Sequence, residues 1–89
     1  MYSIDEERMF WRKVGSETII LDIQSGYYFQ LDDTGSVIWE YILKGNSPEE
    51  IAVKITDEFD VDYATALKDA KKIISSMEKE EIIKSVKKT

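Results

Sequence analysis

The sequence predicts an α+β fold in which a three-stranded antiparallel sheet is followed by three helices. Short runs of β-branched and aromatic residues, separated by turn signals, occupy the first third of the chain. From residue 32 onward, apolar residues recur at helical spacing instead. A chain of 89 residues has room for one modest core, so residues 1–89 are expected to form a single domain.

The predicted strands are short and closely connected. They are expected at residues 8–14, 17–23 and 27–31. In the second strand, alternation places Ile19, Leu21 and Ile23 on one face. The turns between the strands contain Gly15 and Gly26, and connections this short favour an antiparallel meander.

Each predicted helix begins at a recognisable cap. Residues 32–34 can cap a first helix that runs to about Lys44. Ser47 opens a capping box with Pro48 in the first turn of the second helix. Asp62 can cap a long third helix. The main apolar stripe of the third helix is expected to be Leu67, Ala70, Ile74 and Met77.

The composition excludes most catalytic chemistry. The chain has no Cys and no His, which removes disulfides, thiol nucleophiles, imidazole bases and the usual zinc sites. Neighbouring carboxylates such as Asp32-Asp33 and Glu49-Glu50 sit where a helix needs its cap and dipole partners. The four glycines are too scattered for a phosphate-binding loop. The expectation is a protein that is not an enzyme and that uses no cofactor and no metal.

The charge and hydropathy of the chain restrict its partners. A net charge of −6 opposes binding to nucleic acid, and the late lysines Lys84, Lys87 and Lys88 form only a small basic tail. The N-terminus lacks the pattern of a signal peptide, and no apolar run approaches the roughly 20 residues of a membrane span. A cytoplasmic protein with no membrane partner is the default expectation.

A candidate peptide-binding groove follows from the third strand and the third helix. The third strand lies at the edge of a meander, and its successive aromatic residues point to both faces of the sheet. On the third helix, small and apolar residues flank Asp69 and widen the apolar face. If the two elements are neighbours, a peptide can add as a fourth strand between them. On periodicity alone, ordinary core packing explains the same residues at least as well. The candidate residues are Tyr27, Tyr28, Phe29, Gln30, Leu31, Ala66, Asp69, Ala70, Ile73 and Met77.

Residues 14–83 resemble the PqqD-like family, whose members are recognition elements for ribosomally synthesised and post-translationally modified peptides (RiPPs). The match rests on an ordered set of positions along the chain. They are Phe29, Leu31, Asp32, Gly35, Ile38 and Trp39, then more loosely Gly45, Ser47, Glu49 and Glu50, then residues 59–62 and Asp69. One departure is Glu81, because the family usually has Gly just before the closing apolar pair Ile82-Ile83.

The resemblance implies a winged-helix-like domain that acts as a stand-alone adaptor. It implies that the leader region of a precursor peptide adds as a strand beside the third strand and packs on the last helix. The domain then presents the peptide to a modifying enzyme, such as a radical SAM enzyme or a leader peptidase. Two alternatives remain open at this point: a winged-helix DNA-binding regulator, and a module that forms a homodimer through the open sheet edge.

Overall fold

The computed structural model describes residues 2–85, which contain five strands and three helices. The strands are β1 (Tyr2–Ser3), β2 (Met9–Val14), β3 (Glu17–Asp22), β4 (Tyr28–Leu31) and β5 (Lys84–Ser85). The helices are α1 (Asp33–Leu43), α2 (Pro48–Glu58) and α3 (Tyr63–Lys79). Lys87 and Lys88 of the predicted basic tail lie outside the described residues.

The central sheet has the predicted topology. β2, β3 and β4 are antiparallel neighbours, with β3 in the middle. The register places Phe10 opposite Leu21 and Leu21 opposite Tyr28. Because α1, α2 and α3 follow this sheet in the chain, the predicted α+β, winged-helix-like architecture is confirmed.

The turn between β3 and β4 is longer than predicted and includes Tyr27. The Asp22 carboxylate accepts hydrogen bonds from the backbone N–H groups of Gln24 at 3.0 Å and Ser25 at 3.4 Å. Burial raises the pKa of this carboxyl group, but these hydrogen bonds outweigh it, so the pKa of Asp22 lies below its ordinary value. Gly26 has a φ of 81°, which glycine adopts without strain. Tyr27 therefore ends the turn, and β4 begins one residue later.

The two faces of β3 contact different surroundings. The buried residues of the strand are Thr18, Ile20 and Asp22. The opposite face, with Ile19, Leu21 and the following Ile23, is at least partly exposed. A buried hydrogen bond of 2.8 Å from Thr18 Oγ1 to Ser36 Oγ fixes the inward face of β3 against α1. The apolar face that alternation picks out in the sequence thus points away from the helices.

The three helices begin at the predicted caps. The side chain of Asp32 accepts a hydrogen bond from the backbone N–H of Gly35 at 2.8 Å, and Asp62 caps α3 in the same way. At α2, Ser47 and Glu50 form a complete capping box. Hydrogen bonds from Ser47 hold the pKa of the Glu50 carboxyl below its ordinary value. These caps fix where each helix starts and, through Asp32, where β4 ends.

The core lies between the sheet and the helices, with α1 in the middle. Trp39 of α1 is 1% exposed, and its ring meets Trp11 of β2 edge-on at a centroid distance of 5.3 Å. Helix α1 contacts β3 and β4 on one side and α2 on the other, as its wide apolar surface predicts. The buried apolar residues are Met9, Ile20, Ile38, Trp39, Ile42, Ile51, Ala52, Ile55, Ala66, Ala70, Ile74, Met77, Ile82 and Ile83.

A second, two-stranded sheet that the sequence did not predict joins the ends of the described chain. β1 and β5 are antiparallel, with Tyr2 opposite Ser85. The turn that leads from α3 to β5 is held by Arg8, whose Nη2 donates to the carbonyl of Glu81 at 3.0 Å. Arg8 Nε also lies 3.2 Å from Asp22 Oδ1, so one guanidinium ties this turn to the sheet.

Glu81 occupies the backbone position where the resembling family usually has glycine. Its φ is 60°, in the left-handed region that L-residues with a Cβ avoid. We expect Glu81→Gly to raise the free energy of unfolding by about 0.5–1 kcal/mol, because removing the strain outweighs the entropy cost of glycine. Urea unfolding followed by circular dichroism measures this change.

The neighbouring residue provides the control. Glu80 has a φ of −85°, where glycine relieves no strain. We expect Glu80→Gly to lower the free energy of unfolding by about 0.5–1 kcal/mol. Equal changes in the free energy of unfolding for the two substitutions would contradict the conclusion that the backbone of Glu81 is strained.

Candidate functional site

A cleft of about 670 Å³ lies between β4 and α3. Apolar side chains, three carboxylates and one lysine line it. The lining residues are Tyr28, Phe29, Gln30, Leu31, Asp32, Thr34, Asp69, Lys72, Ile73, Ser76, Met77, Glu80 and Ile82. A concave apolar surface with a few polar groups is the usual form of a ligand site.

One wall of the cleft is an open strand edge. Among residues 2–85, β4 pairs with β3 on one side and with no strand on the other. The backbone N–H of Asp22 donates to the carbonyl of Tyr27 at 2.9 Å. In an antiparallel pair, hydrogen-bonded residues alternate with residues whose main-chain groups point away. Phe29 therefore directs its main-chain groups toward β3, while Tyr28 and Gln30 direct theirs toward the cleft side.

The alternation of side chains along β4 separates an inner and an outer face. Phe29 and Leu31 are half-buried and pack against the core cluster. Tyr28 and Gln30 are exposed on the outer face of the sheet. Gln30 Nε2 donates a hydrogen bond to the Glu17 carboxylate of the neighbouring strand. A strand added at this edge would thus meet apolar side chains on one face and Tyr28 and Gln30 on the other.

At the opposite edge of the sheet, the side chains of β2 contact helix α1. The bond from Ile23 N to the Arg8 carbonyl, 3.0 Å long, fixes the alternation there and leaves the main-chain groups of Trp11 and Lys13 pointing outward. The Trp11 ring meets Trp39 edge-on, and Lys13 Nζ forms an ion pair of 3.1 Å with Glu40. Side chains of β2 thus contact α1, whereas the cleft lies beside the edge of β4.

Seven of the ten residues proposed from the sequence line the cleft. They are Tyr28, Phe29, Gln30, Leu31, Asp69, Ile73 and Met77. Ala66 and Ala70 do not line it, since both are fully buried in the core cluster. Tyr27 precedes the strand and is 73% exposed. A charged substitution at Ala70 would accordingly disturb the core and not the cleft.

Sequence reasoning missed six residues that line the cleft. They are Asp32, Thr34, Lys72, Ser76, Glu80 and Ile82. Lys72 and Ser76 lie on the same face of α3 as Asp69, and Glu80 continues this spacing at the C-cap of the helix. The spacings of three and four residues are those of a helix, so these positions were predictable from the helical period. Ile82 follows α3, and its position in the cleft depends on the turn at Glu81.

The lining residues are suited to binding. The charged residues that line the cleft are three carboxylates, Asp32, Asp69 and Glu80, and one cation, Lys72. The Asp32 carboxylate is already engaged as the cap of α1. No group of three or more potential metal-ligating side chains occurs within residues 2–85, and no helix in this range is long and apolar enough to cross a membrane.

Comparisons with known proteins point to one family. Residues 17–83 match the family model of coenzyme PQQ synthesis protein D (PqqD). The structure of TbiB1 in complex with the TbiA(beta) leader peptide is similar to the chain at 29% identity, with a TM-score of 0.83, covering 96% of this chain and 98% of TbiB1. Lasso peptide synthetase B1 complexed with the leader peptide gives 25% identity and a TM-score of 0.84, with 94% and 98% covered. No curated protein sequence matches the chain significantly.

The open edge of β4 predicts an alternating pattern of hydrogen exchange in the free protein. The amides of Phe29 and Leu31 are expected to exchange slowly because they are bonded to β3. The amides of Tyr28 and Gln30 are expected to exchange at least about tenfold faster, since they face the cleft. Amide-resolved NMR in D₂O measures all four rates. Equal protection of the four amides would show that another segment covers this edge.

Proposed function

This chain belongs to the PqqD family, and on that premise we propose that its cleft binds the leader region of a ribosomally synthesised precursor peptide. The peptide enters as a fourth strand beside β4 and packs against α3. The observation that carries this proposal is the unpaired β4 edge that lies along a cleft of about 670 Å³ with apolar side chains in its lining. Both similar structures contain a leader peptide bound to a protein that matches this chain over nearly its full length.

The apolar side chains of the cleft have to supply most of the affinity. Tyr28 and Gln30 offer four main-chain groups, and each hydrogen bond contributes about 1 kcal/mol net. Association costs at least ~4 kcal/mol, so the strand pairing alone roughly breaks even. Each apolar anchor that becomes buried adds about 1.5–3 kcal/mol. Residues such as Phe29, Ile73 and Met77 are placed to receive these anchors.

The proposed role is that of an adaptor. The chain holds the leader while a separate modifying enzyme, such as a radical SAM enzyme or a leader peptidase, acts on the rest of the peptide. The protein performs no chemistry itself, which fits a chain without Cys or His. This role places the protein in the cytoplasm, where precursor peptides are synthesised.

The alternative of a DNA-binding regulator is not favoured by the described surface. A recognition helix needs an excess of positive charge facing the phosphates. On α3, the four lysines Lys68, Lys71, Lys72 and Lys79 are interspersed with Asp69 and Glu78. The whole chain has a net charge of −6, which opposes the approach of phosphates. Self-association through the β4 edge would compete with peptide binding, so it is an outcome that the binding experiment below detects.

The central test is a substitution on the cleft wall. We expect Ile73→Glu to weaken binding of a fluorescein-labelled leader peptide at least about 30-fold, because it places a carboxylate where an apolar anchor packs. The probes are the leader segments of precursor peptides encoded beside the gene for this chain. Fluorescence anisotropy gives the affinity, and sedimentation of the free protein reports self-association.

Ser75→Glu is the matched control, because Ser75 lies on α3, is exposed and does not line the cleft. It adds the same charge and should leave the affinity within about twofold of the unsubstituted protein. Circular dichroism verifies that both variants fold. Equal effects of the two substitutions, or wild-type affinity of Ile73→Glu, would place the binding site elsewhere.

A further inference from the structure

An apolar row crosses the outer face of the sheet and ends at the rim of the cleft. Phe10, Leu21 and Tyr28 are direct neighbours in the register of β2, β3 and β4. Their exposed fractions are 56%, 38% and 67%. Aromatic and aliphatic cross-strand neighbours stabilise a sheet when they cover one another. At the end of the row, within residues 2–85, Tyr28 has a paired strand on the β3 side only.

We propose that the bound peptide is read on both faces of the sheet, through three consecutive residues: a polar residue, an apolar residue and an aromatic residue. This inference rests on the proposed function, since it requires the peptide to add at the β4 edge. It specifies which peptides the edge accepts. The aromatic residue covers Tyr28 on the outer face, and the apolar residue enters the cleft.

The order of the three residues follows from the strand geometry. A fourth strand on an antiparallel sheet is taken as antiparallel to β4, because that pairing is the more stable one. Its hydrogen-bonded residues lie opposite Gln30 and Tyr28, whose main-chain groups face outward. The peptide therefore meets Gln30 first, Phe29 second and Tyr28 third. Directly opposite residues project to the same face of the sheet.

The chemistry of each partner on β4 sets the residue type. Gln30 is bonded to the Glu17 carboxylate, so a polar side chain opposite it keeps this pair hydrated. Phe29 belongs to the inner face, where an apolar side chain of the peptide reaches the cleft beside Ile73. Opposite Tyr28, a large aromatic side chain buries the exposed ring and continues the row.

We expect the bound peptide to cover the Tyr28 end of the row, because Tyr28 belongs both to the row and to the lining of the cleft. Tyr28 lines the cleft and also ends the outer row, so a strand in the cleft lies next to it. Phe10 lies three strand spacings, about 14 Å, from the added strand and stays beyond its reach. The row thus contains its own control residue.

A selection experiment tests the triplet directly. A display library of random 12-residue peptides is selected against the chain, and one enriched peptide is synthesised in two orders of equal composition. The enriched peptides should contain the polar, apolar, aromatic order. Exchanging the first and third residues of the triplet should weaken binding by about tenfold, since the aromatic residue then faces Gln30 and Glu17.

Substitutions of the row decide whether Tyr28 reads the aromatic position. With Tyr28→Thr, the two peptides should differ by less than about threefold, whereas Tyr28→Phe and Phe10→Thr should keep the tenfold difference. Equal affinity of the two orders for the unsubstituted protein, or undiminished discrimination by Tyr28→Thr, would overturn the triplet and leave leader binding intact. Failure to enrich any peptide that is lost with Ile73→Glu would contradict the proposed function as well.

Discussion

The unpaired edge of β4 is the feature on which the proposed function depends. Main-chain N–H and C=O groups are strong hydrogen-bonding groups, and within residues 2–85 those of Tyr28 and Gln30 have no neighbouring strand. Such an edge promotes aggregation unless it is short, covered or protected by charged residues. Here β4 is only four residues long and stands beside α3, so the edge admits one short strand and offers it an apolar wall.

The cleft is held open by contacts at both of its ends. Asp32 follows β4 and caps α1. A Cβ on Gly35 would lie 3.2 Å from both Asp32 Oδ1 and Leu31 Cβ, so a larger residue there requires its neighbours to shift. At the other end of the cleft, the Arg8 guanidinium donates a hydrogen bond to the Glu81 carbonyl and forms an ion pair with Asp22. These contacts fix the turn after α3. This turn places Ile82 in the cleft at the cost of a strained φ at Glu81.

Local signals in the sequence predicted most of the fold. Asp32, Ser47 and Asp62 cap the helices as expected, because capping depends on only a few neighbouring residues. The buried face of β3 was not predictable from alternation, since consecutive residues of the strand are apolar. The buried face is the one that contains Ile20 and Thr18, whose side chain donates a hydrogen bond to Ser36, 18 residues away. The pairing of β1 with β5 was not predictable from local signals either, because it joins residues from opposite ends of the described sequence.

The candidate site was predictable to the extent that it lies on local elements. The face of α3 that contains Asp69, Ile73 and Met77 follows from the helical period, but the rotation of the helix about its axis does not. Ala70, which belongs to the apolar stripe expected from the sequence, is buried in the core together with Ala66, whereas Lys72 and Ser76 line the cleft.

Amide hydrogen exchange of the protein saturated with a leader peptide tests the central claim most directly. If the peptide adds as a strand at β4, the amides of Tyr28 and Gln30 become protected by at least about tenfold. Those of Trp11 and Lys13, at the opposite edge of the sheet, keep their rates. Protection at Trp11 and Lys13, or no change at Tyr28 and Gln30 with peptide bound, would contradict the account.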